Sequence, residues 1–422
     1  MKVRLFSLAA FAAFALASQG VAQQSEDSLE RALADLNDGL AAPAAQSNVT
    51  ISGDFRARNR WFDDGNDTNN RDIDVRTRLN FGFQVTENTR AFVGFYAAEA
   101  FGGSMAGRWD MADPLAPSNS LGDHLDRAWV AVDSLVGDGG TAKIGRSYYT
   151  PGSGRLLGSD EWDNFVTTFS GIWYDHPMGG YNFHFAMLNG VENGMTATDD
   201  MIYIAAFNFD FDMVEATGPI NVAPYWIRDE TSSNTTASGT HETWLGIDLS
   251  GELAGVGYEV EYTQYDFGGM GDSAWYVGLG IDFESLESLP GVESGALDVS
   301  FSSAGQEFAV PGVNAVGTAY GNQYHNAAGF ADVLGTTGIW TTDVDTFQIG
   351  LGLVPAEGWT GRFAYINIDT PGTDYDEFDL SVGTQLNGNV AAWFGYALTD
   401  PSGSTLDNMT TFWTTLDLAF GG

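Results

Sequence analysis

From Val49 onward the chain alternates apolar and polar residues with period two. In the first run Val49, Ile51, Gly53, Phe55, Ala57 and Trp61 share one face, and Thr50, Ser52, Asp54, Arg56, Arg58 and Arg60 share the other. The next run sets Ile73, Val75, Leu79, Phe81, Phe83 and Val85 against Asp72, Asp74, Arg76, Arg78, Asn80 and Gln84. The same pattern returns in Tyr181–Met187, in Tyr258–Thr263 with Glu259 and Glu261 on the polar side, and in Phe412–Phe420. Side chains of a strand point to opposite faces in turn, so each run reads as a strand with one apolar and one polar face. The runs are longer than the ~5–6 residues usual in soluble sheets and close to the ~9–11 that a tilted strand needs to cross a bilayer.

Alternation fits a soluble sandwich with its apolar faces inward, and equally a membrane barrel with its apolar faces toward lipid and a polar lumen. Three features favour the barrel. Charges stand in rows on the polar faces. Aromatics near strand ends (Trp61, Trp129, Tyr148, Trp173, Tyr174, Trp226, Trp244, Trp275, Trp393) suggest an interfacial girdle. Long polar connections (62–71, 103–122, 190–200) alternate with short ones (86–89, 134–140, 178–180, 251–256). The expected fold is all-β: a single transmembrane antiparallel β-barrel of about 18 strands (16–18) over 47–422. The stretch 284–340, rich in Gly, Ser and Asn, holds one short strand candidate at 295–301 and reads as a long loop or an inward-folded constriction.

Residues 1–22 read as a secretory signal peptide. Lys2 and Arg4 precede an apolar run from Leu5 to Ala17, and Gly20 and Ala22 stand at the −3 and −1 positions of a cleavage site. The run is too short to span a bilayer as a helix. In 23–46, Leu29, Leu33, Leu36 and Leu40 recur at heptad-like spacing, predicting a short N-terminal helix before the barrel. It reads either as a pro-segment or plug, or as a trimerising or wall-contacting helix.

Composition narrows the function. The 422 residues contain no Cys, which excludes disulfide scaffolds, Cys-ligated metal centres and thiol enzymes. A formal charge of −39, from 17 Lys+Arg and 56 Asp+Glu, argues against nucleic acid as a partner. Removing the signal peptide with Lys2 and Arg4 takes the charge from −39 to −41. That charge is unevenly placed. Residues 47–160 hold 12 basic and 15 acidic residues, whereas 161–422 hold only Arg228 and Arg362 against 36 acidic residues.

Several stretches resemble the alginate-export family of outer-membrane β-barrels. They are Leu125–Val130, Lys143–Arg146, Gly152–Gly158 with Asp160–Trp162, Phe169–Ile172, Pro224–Asp229, and Tyr324–Asn326 with Gly329–Gly335. The resemblance is diffuse and runs from about residue 48 to the C-terminus. It implies one 18-stranded barrel and passive passage of solutes, and the family's characterised member exports an anionic polysaccharide through an Arg-lined constriction.

The candidate solute-contacting residues are Arg56, Arg58, Arg60, Arg76, Arg78, Arg90, Arg127, Lys143, Arg146, Arg155, Glu259 and Glu261. A hairpin about 62–71 in symmetric register would set Arg60 near Asp72, Arg58 near Asp74, Arg78 near Asp54, and Arg56 beside Arg76. That arrangement serves as a charge ladder stiffening the wall or as an Arg face toward a channel, since guanidinium keeps its charge and pairs with carboxylates. The Gly-rich stretch 152–163 reads as an inward fold narrowing the pore or as an ordinary connection. The acidic loop with Asp63, Asp64, Asp67 and Asp72 lacks the spacing of a calcium loop. The five His are scattered, and no nucleophile elbow, phosphate loop or metal motif stands in its required context, so no cofactor, metal or catalytic residue is expected.

The expectation is therefore a passive outer-membrane channel for small or polymeric, anionic solutes of uronate type. A general diffusion porin is the first alternative, and a barrel enzyme or secreted carbohydrate-binding β protein the second. Expected partners are outer-membrane lipid, the permeating solute and the barrel-assembly machinery. Monomer and trimer both stay open.

Overall fold

The structure is a computed structural model. It describes residues 49–421 apart from 64–68, 102–122, 136–138, 160–167, 190–200, 213–217, 231–240, 268–269, 285–291, 311–338, 341–342 and 403–407. The expected signal peptide, the helical segment 23–46, most of the acidic loop after Asp63 and the stretch 324–335 lie outside the described residues.

Eighteen strands follow one another: β1 (Val49–Asp63), β2 (Asn69–Thr86), β3 (Thr89–Phe101), β4 (Asp123–Asp133), β5 (Thr141–Ser147) and β6 (Phe169–Pro177). Then come β7 (Tyr181–Asn189), β8 (Met201–Asp212), β9 (Pro219–Asp229), β10 (Glu242–Leu253), β11 (Val256–Phe267) and β12 (Met270–Glu284). The last six are β13 (Ser294–Ala304), β14 (Val344–Val354), β15 (Trp359–Thr370), β16 (Thr373–Asn387), β17 (Val390–Ser402) and β18 (Met409–Gly421). Each pairs antiparallel with its sequence neighbour. β18 returns to β1 from Ser52↔Gly421 to Asp63↔Thr410, so the sheet closes as one ring. No described helix is long and apolar enough to cross a membrane. Closure satisfies the backbone without helices, because every strand has a partner on both sides.

The faces settle which way the barrel is turned. Leu245, Phe301, Phe363, Phe378 and Leu380 are exposed on the outer surface, whereas Arg56, Arg58, Asp74, Glu261 and Glu377 are buried inside. That is the reverse of a soluble sandwich and the arrangement of a barrel in lipid. The aromatic girdle needs correction. Trp61, Tyr174, Trp226 and Trp275 point outward by alternation, but Trp129, Tyr148, Trp173, Trp244 and Trp393 turn into the barrel. Trp173 and Trp244 are buried there, and Trp393 lies flat on Gly383. Nearness to a strand end cannot report the face; the odd or even position within the strand does.

Connections at the end that holds Val49 and Gly421 are short, as in the two-residue turn Ala254–Gly255, where both residues have positive φ (53° and 82°). The opposite end carries the long ones, 102–122, 148–168 and 305–343, but also two-residue links at 268–269 and 371–372 that break the expected rhythm. The strand candidate at 295–301 extends to Ser294–Ala304.

Aromatic rings lie over inward-facing glycines in the wall. Trp413 stands opposite Gly395 in register, and a Cβ at Gly395 would collide with its indole. Gly395→Val should displace Trp413 and cost about 1–3 kcal/mol. The expected readout is earlier loss, on heating, of the compact gel band of the folded barrel; an unchanged unfolding temperature would contradict this packing.

Candidate functional site

The hairpin of β1 and β2 has the register that its charges foreshadow: Arg60↔Asp72, Arg58↔Asp74, Arg56↔Arg76 and Asp54↔Arg78. Side chains refine it. Asp74 takes two cations, Arg58 Nε at 3.2 Å and Arg60 Nε at 3.1 Å. Asp54 likewise takes Arg78 Nε at 2.6 Å and Arg76 Nη2 at 3.6 Å. Each carboxylate thus joins its directly opposite partner and one diagonal neighbour. Asp417 of β18 lies opposite Arg56 on the other side. Among the described side chains five guanidinium groups therefore stand against three carboxylates on the inner face of β18, β1 and β2, and Asp72 lies opposite Arg60 in register. Burial of these charges requires such pairing, because an uncompensated buried ion costs several kcal/mol.

The positive wall continues onto β3–β5. At a β-bulge Gly94 pairs with Arg127 while Phe95 pairs with Leu125, so Asp126 has no opposite number. The bulge turns both Asp126 and Arg127 inward. Arg127 bonds Asp126 at 3.1 Å and Asn80 at 2.8 Å, with its guanidinium carbon 4.1 Å from the centre of the Tyr148 ring and 4.8 Å from that of Phe92. Phe92 stacks on Trp129 at 5.4 Å. Lys143 lies between Trp129 and Trp173, at 4.6 and 5.2 Å from the ring centres, and donates to Ser147 Oγ at 2.6 Å. Tyr148 donates to Asp126 at 2.7 Å and accepts from Arg78 at 3.2 Å, joining this stack to the β1–β2 ladder. Arg90 sits at the short-turn end and pairs with Asp133 at 3.0 Å, both half open to solvent.

Arg146 does not belong to the lumen. It is three residues from the inward Lys143, and an odd spacing in a strand reverses the face. It is exposed beside the outward Ile144, and its Nε donates to Thr168 at 2.7 Å. Period two in the sequence carried that signal.

Arg155 is inside the barrel but fully buried rather than open to a solute. The segment 148–159, after β5, turns inward and reaches β11, six strands round the ring. Arg155 Nη1 lies 2.7 Å from Glu259 Oε1 and 2.6 Å from Glu261 Oε2, with its guanidinium over the Tyr276 ring at 3.5 Å. Glu261 also accepts from Ser153 at 2.5 Å and from Tyr225 at 2.8 Å. Arg155, Glu259 and Glu261, each expected to contact solute, are thus bonded together through Arg155. Glu261 is buried in this contact, while Glu259 keeps partial exposure. Leu156 and Leu157 pack against inward apolar residues such as Phe169, Ile202 and Ile227. At its base Tyr149 meets His184 Nε2 at 2.6 Å, and His184 Nδ1 meets Asp175 at 2.6 Å. A chord across a third of the ring narrows the lumen, as one reading of 152–163 anticipated; residues 160–163 lie outside the described part.

A second inward segment comes from the 305–343 connection. Phe308 and Trp340 are fully buried, Trp244 Nε1 donates to Ala309 O at 2.7 Å, and Trp340 Nε1 donates to Trp275 O at 3.2 Å. Opposite the Arg wall, nine strands round the ring from β1 and β2, stand Asp248 on β10 and Glu259 and Glu261 on β11. Among the described residues no cluster of three or more His or carboxylates could hold a metal ion. Tyr148 reads in the sequence only as a girdle aromatic, and Asp126 and the forked pair Arg362–Asp298 do not stand out there. The first two depend on a bulge and a loop path that leave no period in the sequence.

Comparison with known proteins agrees with this architecture. A family model described as alginate export matches residues 47–357. No curated protein matches the chain. Among solved structures it is similar to Pseudomonas aeruginosa OpdK with vanillate (TM-score 0.60, 11% identity, 88% of this chain and 99% of that one). It is similar to Pseudomonas aeruginosa OccK2 (OpdF) in complex with glucuronate (TM-score 0.60, 11% identity, 89% and 98%). A third is Acinetobacter baumannii OccAB4 (TM-score 0.61, 10% identity, 90% and 100%). At such identities the likeness is one of fold.

Removing one partner of a buried ion pair costs about 3–5 kcal/mol. Arg155→Ala should therefore release segment 148–159 from β11 and raise single-channel conductance in planar bilayers, with added current noise. Conductance equal to wild type would mean that this segment does not limit the pore.

Proposed function

The chain belongs to the alginate export family, and on that premise we propose that it carries anionic solutes of uronate type, oligomeric or polymeric, along the Arg wall of β18, β1, β2 and β3. It is an outer-membrane β-barrel channel, and permeation through it is passive. The observation that carries the finer reading is the excess of cations on that wall: Arg56, Arg58, Arg60, Arg76 and Arg78 against Asp54, Asp74 and Asp417, with Asp72 placed opposite Arg60 by register. Fixed charges on a low-dielectric wall focus a field into the lumen and raise the local concentration of counter-charged solute. The carboxylates of β10 and β11 on the far side give the field a direction across the pore. A carboxylate-bearing solute would be drawn to the Arg side while its uncharged parts face the rest of the lumen. The ligands in two similar structures, vanillate and glucuronate, both carry a carboxylate, which supports an anionic solute here.

A general diffusion porin is the second reading, and one observation favours it. Arg58 and Arg60 are only 1% and 2% exposed and share Asp74, as residues that stiffen a wall would. Under that reading the charges hold the hairpin, and solute identity is indifferent.

Bilayer measurements separate the two. Oligoguluronate or oligomannuronate should block the current at low salt, and block should weaken as ionic strength rises. Arg56 and Arg76 show only a small part of their surface to the lumen, and a charge contact made from the solvent side is worth up to about 1 kcal/mol, so Arg56→Ala with Arg76→Ala should weaken block by roughly tenfold. Block that is absent, or unchanged in the double variant, leaves the general porin; no conductance at all would remove the channel.

A further inference from the structure

A cavity of about 690 Å³ opens on the inner face of β10–β16, away from the Arg wall. Its floor is hollowed by glycine. Gly257 on β11 and Gly280 on β12 are cross-strand partners, both on the inner face. Glycine weakens a strand, so it normally has a local reason to be there. Neighbouring glycines have one: a Cβ at Gly278 would collide with the Tyr276 ring, and one at Gly350 with the forked Arg362 and Asp298. Gly257 and Gly280 do not. A Cβ at Gly257 would meet only Gly280 O at 3.6 Å, and one at Gly280 only Leu297 O at 4.0 Å. Neither has positive φ. Their missing side chains leave space that no part of the described chain fills.

Around that space stand groups built for hydroxyls. Arg362 holds Asp298 in a two-pronged bond at 2.8 and 2.9 Å, which leaves further guanidinium N–H groups and carboxylate lone pairs to use. The side chains of Ser250, Ser300 and Gln348 line the cavity and make no hydrogen bond to a described residue. A hydroxyl and a carboxamide each both donate and accept, as a sugar hydroxyl does. Charge rules out an anion as the preferred occupant, because Glu259, Asp298 and Asp379 line the cavity against Arg362 alone. The pull on a cation is reduced too, because two of the three carboxylates are already bonded, Asp298 to Arg362 and Glu259 to Arg155. The volume suits a small organic ligand, within the ~300–1,000 Å³ of typical sites.

We propose that this cavity is a binding site for a neutral, hydroxyl-rich ring, one or two sugar units in size, separate from the Arg wall. The reading does not depend on uronate transport. It assigns the acidic side of the lumen to uncharged saccharide.

The test uses the full-length chain in detergent and saturation-transfer NMR with sucrose, glucuronate and ethanolamine as separate probes, so that it stands apart from any conductance result. Sucrose should give transfer at millimolar concentration. Gly257→Val and Gly280→Val, whose added atoms enter the cavity, should each weaken it at least tenfold. Gln348→Ala removes hydrogen bonding without adding bulk and should weaken it severalfold, which covers the case in which a valine variant does not fold. Glucuronate should not compete with sucrose. The proposal fails if sucrose shows no transfer or if the variants that fold bind sucrose as wild type does. It fails equally if glucuronate displaces sucrose at equal concentration, or if ethanolamine is the only probe that binds.

Discussion

Everything in this protein depends on the closing of one sheet upon itself. The hydrogen bonds between β18 and β1 leave no unpaired edge, and in hydrocarbon an unpaired backbone edge costs several kcal/mol for each group. Closure fixes the inside and the outside. Once those are fixed, a side chain's position in its strand, odd or even, decides whether it meets lipid or lumen. Phe363, Phe378 and Leu380 on the outside and Arg58, Asp74 and Glu377 on the inside are consequences of that single constraint.

The interior so enclosed is not uniform. On one side are the β1–β2 guanidinium groups, each carboxylate shared between two of them. On the other, segments 148–159 and 305–310 fold inward and bury Leu157, Phe308, Trp244 and Trp340 as a soluble core would. The chord from β5 to β11 ends in Arg155, whose charge is met by Glu259 and Glu261 and whose flat face lies on Tyr276. The acidic wall is thus fastened to the chord by a cation that the chord brings to it. The remaining lumen is shaped by three different surfaces: an Arg wall, a chord packed on apolar side chains, and a glycine-floored hollow with unsatisfied polar groups.

Much of the fold could be read in the chain. Period two gave the strands and their faces in β1, β2, β7, β11 and β18, and the strand number falls at 18. The pairs Arg58 with Asp74 and Arg78 with Asp54 were legible because a symmetric hairpin about 62–71 sets these charges opposite one another. Arg146 was expected at the lumen and faces out; its odd spacing from Lys143 already set it on the other face. Trp129, Trp173, Trp244 and Trp393 were not legible, because an aromatic near a strand end suits both a girdle and a lumen, and proximity to the end does not distinguish them.

The sequence by itself determined what is local: alternation, strand length, the charge partition before and after residue 160, and the register of the β1–β2 hairpin. Alternation and that register follow from a repeat of two residues along strands adjacent in the chain, and the charge partition from composition alone. Only the tertiary structure decided which distant parts meet. Arg155 reaches carboxylates more than a hundred residues away, a one-residue bulge turns Asp126 and Arg127 to the same side, and Gly257 and Gly280 come to share a floor with Gln348 and Arg362. The reason is physical. Contacts across a closed ring depend on where loops fold and how far round the circumference they reach, and neither has a period that the chain can display.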